Sequence, residues 1–140
     1  MIRLLMILAF LLVSPQAFAQ SQCASNKLVF TPFSQGSATT ATLIAGVANK
    51  KIYICKGFLW SPTGNVALVE GTGTNCATAV SAGLLGGTTA ATGQVFSTNS
   101  GFVLPADALP WAVTATAGDN VCLITSGAGP ASGILVSVQQ

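Results

Sequence analysis

Few side chains of this 140-residue chain could carry out acid–base chemistry, since it has three carboxylates, one tyrosine and no histidine. General acid–base catalysis needs a titratable group that is poised near neutral pH and oriented by a partner. Asp107 lies in a loop between prolines, and Asp119 with Asn120 favours a tight turn. Glu70 ends a predicted strand. Two of these carboxylates could meet as a glycosidase pair does, so an extracellular hydrolase is a remote alternative, but the sequence predicts no catalytic residue and no enzyme.

Other catalytic and binding motifs are weak. The serines include no G-x-S-x-G motif, and a triad would lack its histidine base. The glycine-rich run 71–75 could form an anion nest, but no lysine or helix follows it, so a connection between strands is expected. Asp119 alone falls short of the six to eight oxygen ligands of calcium. We therefore predict neither a cofactor nor a metal.

The four cysteines, Cys23, Cys55, Cys76 and Cys122, form no C-x-x-C motif. With no histidine, a zinc site would need all four, and their spacing lacks the closely paired ligands of such sites. An even number of cysteines in an exported chain favours disulfides. We therefore predict two disulfides.

The clearest predicted hairpin spans residues 51–70. Its turn, at residues 61–64, carries a proline at the second position, as type I and type II turns do. Placing Trp60 opposite Asn65 fixes the register of the two strands. This hairpin is the basis for the disulfide pairing.

In that register Cys55 faces Glu70, and the chain then runs through a glycine-rich segment to Cys76. If that segment folds back beside the hairpin, Cys76 comes within the roughly 5.5 Å Cα separation that a bond to Cys55 requires. By elimination, Cys23 would pair with Cys122. Four cysteines allow three connectivities, and the other two stay open.

Runs rich in Val, Ile, Thr, Phe and Tyr alternate with Gly, Pro and Asn, which is typical of an all-β sandwich. The best helix candidate, residues 77–85, contains Thr, Val and Gly, so we expect at most a short turn there. We predict a single antiparallel β-sandwich of about eight strands, stapled by disulfides. The predicted strands are Lys27–Phe33, Ala38–Ala45, Lys51–Trp60, Asn65–Glu70, Cys76–Val80, Gln94–Thr98, Trp111–Thr116 together with Asn120–Thr125, and Gly133–Val138.

Aromatic side chains could form a sugar-stacking or partner-binding surface. The candidates are Phe58, Trp60, Phe96, Phe102 and Trp111. Phe58 and Trp60 are two residues apart in one strand and so share a side of it, which we expect to face the core. Trp60 and Trp111 are the candidate ligand-stacking residues.

The N-terminus has the order of a secretory signal peptide. Arg3 precedes the apolar run 4–13, Ser14-Pro15 breaks that run, and Ala17-Phe18-Ala19 matches a cleavage site. The run has about ten residues, whereas a membrane-spanning helix needs roughly 20. We therefore predict a signal peptide over residues 1–19 and one secreted domain over 20–140, in the periplasm, at the cell surface or outside the cell.

The predicted mature chain carries four lysines and three carboxylates, a formal charge of +1. This balance does not favour nucleic acid or an anionic membrane as a partner. Charged residues make up only 6% of the chain, against about 25% in an average soluble domain. So few charges fit either a Ser/Thr-coated monomer or a surface covered by a partner, such as a second copy of the chain or a glycan.

Four segments together resemble small β-domains of tailed-phage virion proteins and uncharacterised relatives in bacterial genomes. They are Ile52-Tyr53-Ile54-Cys55, the G-T-G-T-N-C run 71–76, residues 117–123, and the closing strand 132–139. The resemblance covers most of residues 43–140. It implies a jelly-roll-like sandwich with a structural or surface-attachment role, as a homo-oligomer, and no catalytic residue. The signal peptide differs from virion proteins, which assemble in the cytoplasm, and favours an exported relative.

Two functions of different classes follow from the sequence. The first is a secreted structural or attachment domain, a subunit of an extracellular or virion-like assembly. The second is a carbohydrate-binding module that uses exposed aromatic residues such as Trp60 or Trp111.

Overall fold

A computed structural model describes residues 22–24, 27–36, 38–61, 63–97, 99–106, 109–127 and 129–140. The predicted signal peptide and Asp107 lie outside these residues. Within them, no helix is long and apolar enough to cross a membrane. The strands are β1 (Val29–Gln35), β2 (Thr40–Ile44), β3 (Ile52–Ser61), β4 (Gly64–Thr72), β5 (Ala79–Leu85), β6 (Gln94–Phe96), β7 (Ser100–Leu104), β8 (Ala112–Val113), β9 (Asn120–Thr125) and β10 (Ala131–Gln139), with 3-10 turns at Thr74–Cys76 and Ala90–Thr92.

The strands form two antiparallel sheets. The first has the order β1-β10-β3-β7, with β8 also on β3, and the second has the order β2-β9-β4-β5, with β6 also on β4. Pairing therefore proceeds inward from the two ends of the chain: β1 with β10, β2 with β9, β3 with β8 and β7, and β4 with β6 and β5. An antiparallel ribbon rolled up into two sheets is a jelly roll. The predicted jelly-roll-like sandwich is confirmed, and the described residues form ten strands instead of about eight.

The main core lies between the two sheets. Ile52, Ile54 and Leu135 of the first sheet meet Leu68 and Leu123 of the second, and each is at most 2% exposed. Burying a side chain of this size stabilises the folded state by roughly 1.5–3 kcal/mol. This core fixes the relative position of the sheets.

The turn after β3 is a corner between sheets. β3 ends at Ser61 and β4 begins at Gly64, but the two strands belong to different sheets, so the predicted hairpin over residues 51–70 is wrong. Gly64 has a φ of 110°, which glycine adopts without steric cost. A short turn rich in Pro and Gly suits such a corner as well as a hairpin.

Two disulfides form, as predicted, but the predicted pairing is wrong. The bonds join Cys23 to Cys55 and Cys76 to Cys122, with Cα separations of 5.3 and 6.2 Å. Cys55 packs beside the outer side of the first sheet, and Cys76 packs on the outer side of the second. The predicted Cys55–Cys76 bond depended on the hairpin that does not form.

Two further strand predictions need correction. The strand predicted over Cys76–Val80 is shifted along the chain, because residues 74–76 form a 3-10 turn and β5 spans Ala79–Leu85 at the edge of the second sheet. β7 was missed because Asn99-Ser100-Gly101 has the composition of a turn, yet Gly101 pairs with Trp60. In both cases pairing with a neighbouring strand overrides weak local propensity.

An extra residue in β3 changes which side chains face the core. Ile54 and Lys56 pair with the consecutive residues Ser137 and Val136 of β10, so Cys55 forms a β-bulge. Before the bulge the even-numbered residues of β3 are fully buried, whereas beyond it the buried residues are odd-numbered. The bulge therefore turns the even-numbered residues of the second half of β3 outward.

Candidate attachment surface

Apolar side chains cover much of the outer side of the first sheet. The register places Phe30, Val136 and Lys56 in one cross-strand row, and Pro32, Ile134, Phe58 and Val103 in the next. Trp60 follows in a third row. We call this surface the apolar face, and it consists of Phe30, Pro32, Phe58, Trp60, Val103 and Ile134, with Val136 buried beneath them at 2% exposure.

Several members of the apolar face are well exposed. Val103 is 71% exposed, Phe30 58%, Phe58 49% and Trp60 38%. Single exposed apolar residues are normal, but a contiguous group on adjacent strands is typical of an interaction surface. The apolar face is therefore the candidate functional site of this chain.

A groove with a volume of about 330 Å³ crosses the apolar face. Phe30 and Phe58 line it together with Pro105, which follows β7. Its size is at the lower end of the roughly 300–1,000 Å³ of ligand pockets. The groove can hold a large apolar side chain or a small apolar ligand.

Lys56 is the charged residue in the groove lining. Its ammonium group lies 5.8 Å from the centre of the Phe30 ring, within the range of a cation–π contact. The side chain therefore lies along the apolar surface.

One end of the same outer surface is covered by the chain itself. The disulfide from Cys55 holds Cys23 there, and Leu28, Tyr53 and Val138 pack around the bond. Cys23 and Val138 are at most 9% exposed. None of these residues lines the groove.

The expectation that Phe58 and Trp60 face the core is wrong. They do share one side of β3, but the bulge at Cys55 directs that side outward. The residues that point inward beside them are Leu59 and Ser61, at 4% and 2% exposure. Trp60 is thus available for contact, as the hypothesis of a stacking residue requires.

Trp111, the second candidate stacking residue, lies elsewhere. It is partly buried against the main core, and its ring meets Phe102 edge to face at 6.0 Å. Phe96 is buried at 6% exposure. The structure therefore does not bring Trp60 and Trp111 together into one surface.

The carboxylate of Glu70 points into the sandwich. It is 1% exposed, and Oε2 accepts a hydrogen bond of 2.6 Å from the amide of Ala115, while Oε1 has no partner. Burial raises the pKa of Glu70 above its ordinary 4.5, and the negative charge of Asp119 raises it further. The hydrogen bond from Ala115 and the positive charge of Lys51 act in the opposite direction and lower the pKa. Glu70 connects the second sheet to the segment that follows β8.

Asp119 is also buried, at 3% exposure, and accepts a hydrogen bond of 2.8 Å from the hydroxyl of Ser81. Its charge acts on Glu70, so two of the three carboxylates considered for acid–base chemistry lie near each other. A glycosidase pair flanks a substrate bond. Here each carboxylate is buried and holds a neighbouring segment through a hydrogen bond.

The glycine-rich run 71–76 is a structural connection. The amide of Thr42 donates to Asn75 Oδ1 at 3.0 Å, and the amide of Asn75 donates to Thr42 Oγ1 at 2.9 Å. Asn120 Nδ2 donates to the carbonyl of Gly73 at 2.9 Å. These bonds and the Cys76 disulfide fix the run against the second sheet.

The described ranges contain no group of three or more His, Cys, Asp or Glu residues that could hold a metal ion. All four cysteines are in disulfides. The carboxylates of Glu70 and Asp119 accept hydrogen bonds from the amide of Ala115 and the hydroxyl of Ser81.

Neither the family models nor the curated proteins include a match to this chain. A solved structure with some similarity is that of a cupin-superfamily sugar phosphate isomerase from Silicibacter pomeroyi. The two share 9% identity with a TM-score of 0.34, and the match covers 82% of this chain and 52% of the isomerase. The chain thus spans about half the length of that protein.

Proposed function

We propose that this chain is a secreted, non-catalytic structural or surface-attachment domain, a subunit of an extracellular or virion-like assembly. The observation that carries the proposal is the exposed apolar face, with Val103 at 71% and Phe30 at 58% exposure. A charge-poor chain that leaves such a surface open gains stability and solubility when a partner covers it. The resemblance to small virion β-domains supports the same role.

The two disulfides support the secreted part of this proposal. Disulfides persist in oxidising compartments and are rare in the cytosol of most organisms. In the chain-entropy model, loops closed over separations of 32 and 46 residues each stabilise the fold by roughly 4 kcal/mol. The predicted signal peptide accounts for the route to such a compartment.

The test is the native mass of the mature, non-reduced protein, measured by light scattering over a range of concentrations. We expect a mass above that of one chain, with all four cysteines resistant to alkylation. A strictly monomeric protein would contradict the assembly role. Four free thiols would contradict both the disulfides and the argument for export.

A carbohydrate-binding module is the second candidate, because Trp60 is exposed and pairs with Ser132 across the strands. An aromatic ring can stack on the apolar side of a sugar ring, and a neighbouring hydroxyl can hydrogen-bond to the sugar. Glycan-array binding that is lost in Trp60→Ala and retained in Trp111→Ala would favour this function. Binding that is unchanged in Trp60→Ala would exclude this site.

A further inference from the structure

We propose that the apolar face is the surface through which two copies of this chain associate, as an isologous pair that stacks first sheet on first sheet. This inference deepens the assembly role proposed above and rests on it. It commits to a second copy as the occupant, and the area, the shape and the charge of the apolar face support that choice.

The exposed area fits a weak, reversible pair. Phe30, Phe58, Trp60 and Val103 are between 38% and 71% exposed. Since an aromatic side chain presents about 150–250 Å², the three rings expose roughly 220–360 Å², and with Val103 and the exposed Pro32 the apolar area is on the order of 400 Å² per copy. Two copies together would bury about 800 Å², which is the size of a weak, reversible interface.

The shape of the apolar face suits contact with itself. In an isologous interface the same patch supplies both the protruding groups and the surface that receives them. Phe30 and Val103 protrude, and between them lies the groove of about 330 Å³. Each copy therefore offers a large apolar side chain and a recess able to receive one.

The charges indicate how the pair is held together. Both acidic side chains within the described ranges, Glu70 and Asp119, are buried, so neither is available to pair with Lys56 of another copy. Lys56 instead lies against Phe30 of its own chain. We infer that association depends on apolar burial, which salt does not screen.

A glycan fits the groove less well. Apart from Lys56, the side chains that line it are apolar, including Phe30, Phe58, Val103 and Ile134. Sugar hydroxyls that lose water need hydrogen-bond partners, because leaving them unpaired costs about 1–3 kcal/mol each. A second apolar face carries no such cost.

The experiment compares one substitution on the two sheets. Val103→Lys places a charge in the apolar face, and Val95→Lys makes the same change on β6 of the second sheet, where the valine is 68% exposed. We expect Val103→Lys to weaken self-association of the mature chain about tenfold or more, and Val95→Lys to leave it unchanged. Sedimentation velocity measures both, and circular dichroism checks that each variant is folded.

The outcomes separate this inference from the function on which it rests. Self-association that survives Val103→Lys and a second variant, Phe58→Lys, would overturn the pairing surface while leaving an assembly through another surface. A wild-type chain that is always monomeric would overturn both. Association that weakens as salt is raised from 0.05 to about 0.5 M, across which the Debye length shortens severalfold, would overturn apolar pairing in favour of a charged partner.

Discussion

Both sheets carry apolar side chains on their outer sides, but the chain covers the two sides to different extents. On the second sheet, the apolar residues Ala67 and Val69 are 0% exposed because the turn Thr74–Cys76 and its disulfide to Cys122 lie over them. On the first sheet, a disulfide covers one end, and Val103 stays 71% exposed. The chain covers the centre of one outer surface, where Val95 at the edge stays 68% exposed, and leaves the apolar face of the other open, where we propose that a partner binds.

Removing the cover of the second sheet should have the largest effect. Without the Cys76–Cys122 bond, the unfolded chain regains entropy worth roughly 4 kcal/mol, and the cover over Ala67 and Val69 loses its covalent attachment. We expect the double variant Cys76→Ala/Cys122→Ala to lose at least that much free energy of unfolding. Urea denaturation measures the loss. Cys23→Ala/Cys55→Ala is the matched variant, and an equal or greater loss there would contradict a special role for the cover.

One substitution placed on both outer surfaces tests the comparison directly. Val69→Lys buries a charge at a position with 0% exposure, and we expect a loss of about 3 kcal/mol. Val103→Lys changes a side chain that is 71% exposed and should cost less than about 0.5 kcal/mol. Denaturation at low protein concentration, where association does not contribute, separates the two. Similar losses would show that the two surfaces do not differ.

The hydrogen bond that fixes the cover should make a smaller contribution. Asn75→Ala removes the acceptor of the Thr42 amide and puts alanine at a φ of 54°, so we expect a loss of about 1–2 kcal/mol. Asn75→Gly removes the same acceptor but adopts that φ without strain. Its thermal unfolding should show roughly half the loss. Equal losses would assign the whole effect to the hydrogen bond.

A change between the sheets should affect neither outer surface. Because burial raises the pKa of Glu70 in the folded state, the folded protein binds a proton more tightly than the unfolded chain. Its contribution to stability is therefore full below about pH 4.5 and declines as the pH rises through the folded pKa, with Asp119 and Lys51 as the neighbouring charges. Glu70→Gln should flatten this decline, measured by unfolding between pH 4 and about pH 8. Altered self-association in this variant would contradict the independence of core and surface.

The fold class was accessible from the sequence, but the assignment of strands to sheets was not. Runs such as Ile52–Cys55 and Val121–Ile124 carry strong β propensity, which predicts strands whatever their partners. The turn at residues 61–64 has the same signals whether the chain returns in one sheet or crosses to the other. The disulfide pairing depended on that choice, so it failed with it.

Only part of the apolar face could be predicted from the sequence. Alternation predicts that Phe58 and Trp60 share one side of β3, but a period of two does not say which side is buried. Their size favours the core, and only the bulge at Cys55 places Leu59 there instead. A bulge arises from pairing with β10, which local composition does not reveal.

The outward direction of the apolar face depends on the bulge at Cys55. If the same residues of β3 paired without the bulge, regular alternation from Ile54 would send the aromatic rings inward and turn Leu59 to solvent, whereas deleting Cys55 would leave residues 56–61 opposite their present partners and keep the rings outward. Most single replacements beyond the bulge would instead alter one contact and leave the orientation of the strand intact. Related chains that keep the spacing between this cysteine and the aromatic pair should therefore present the same surface, even where the side chains themselves have diverged.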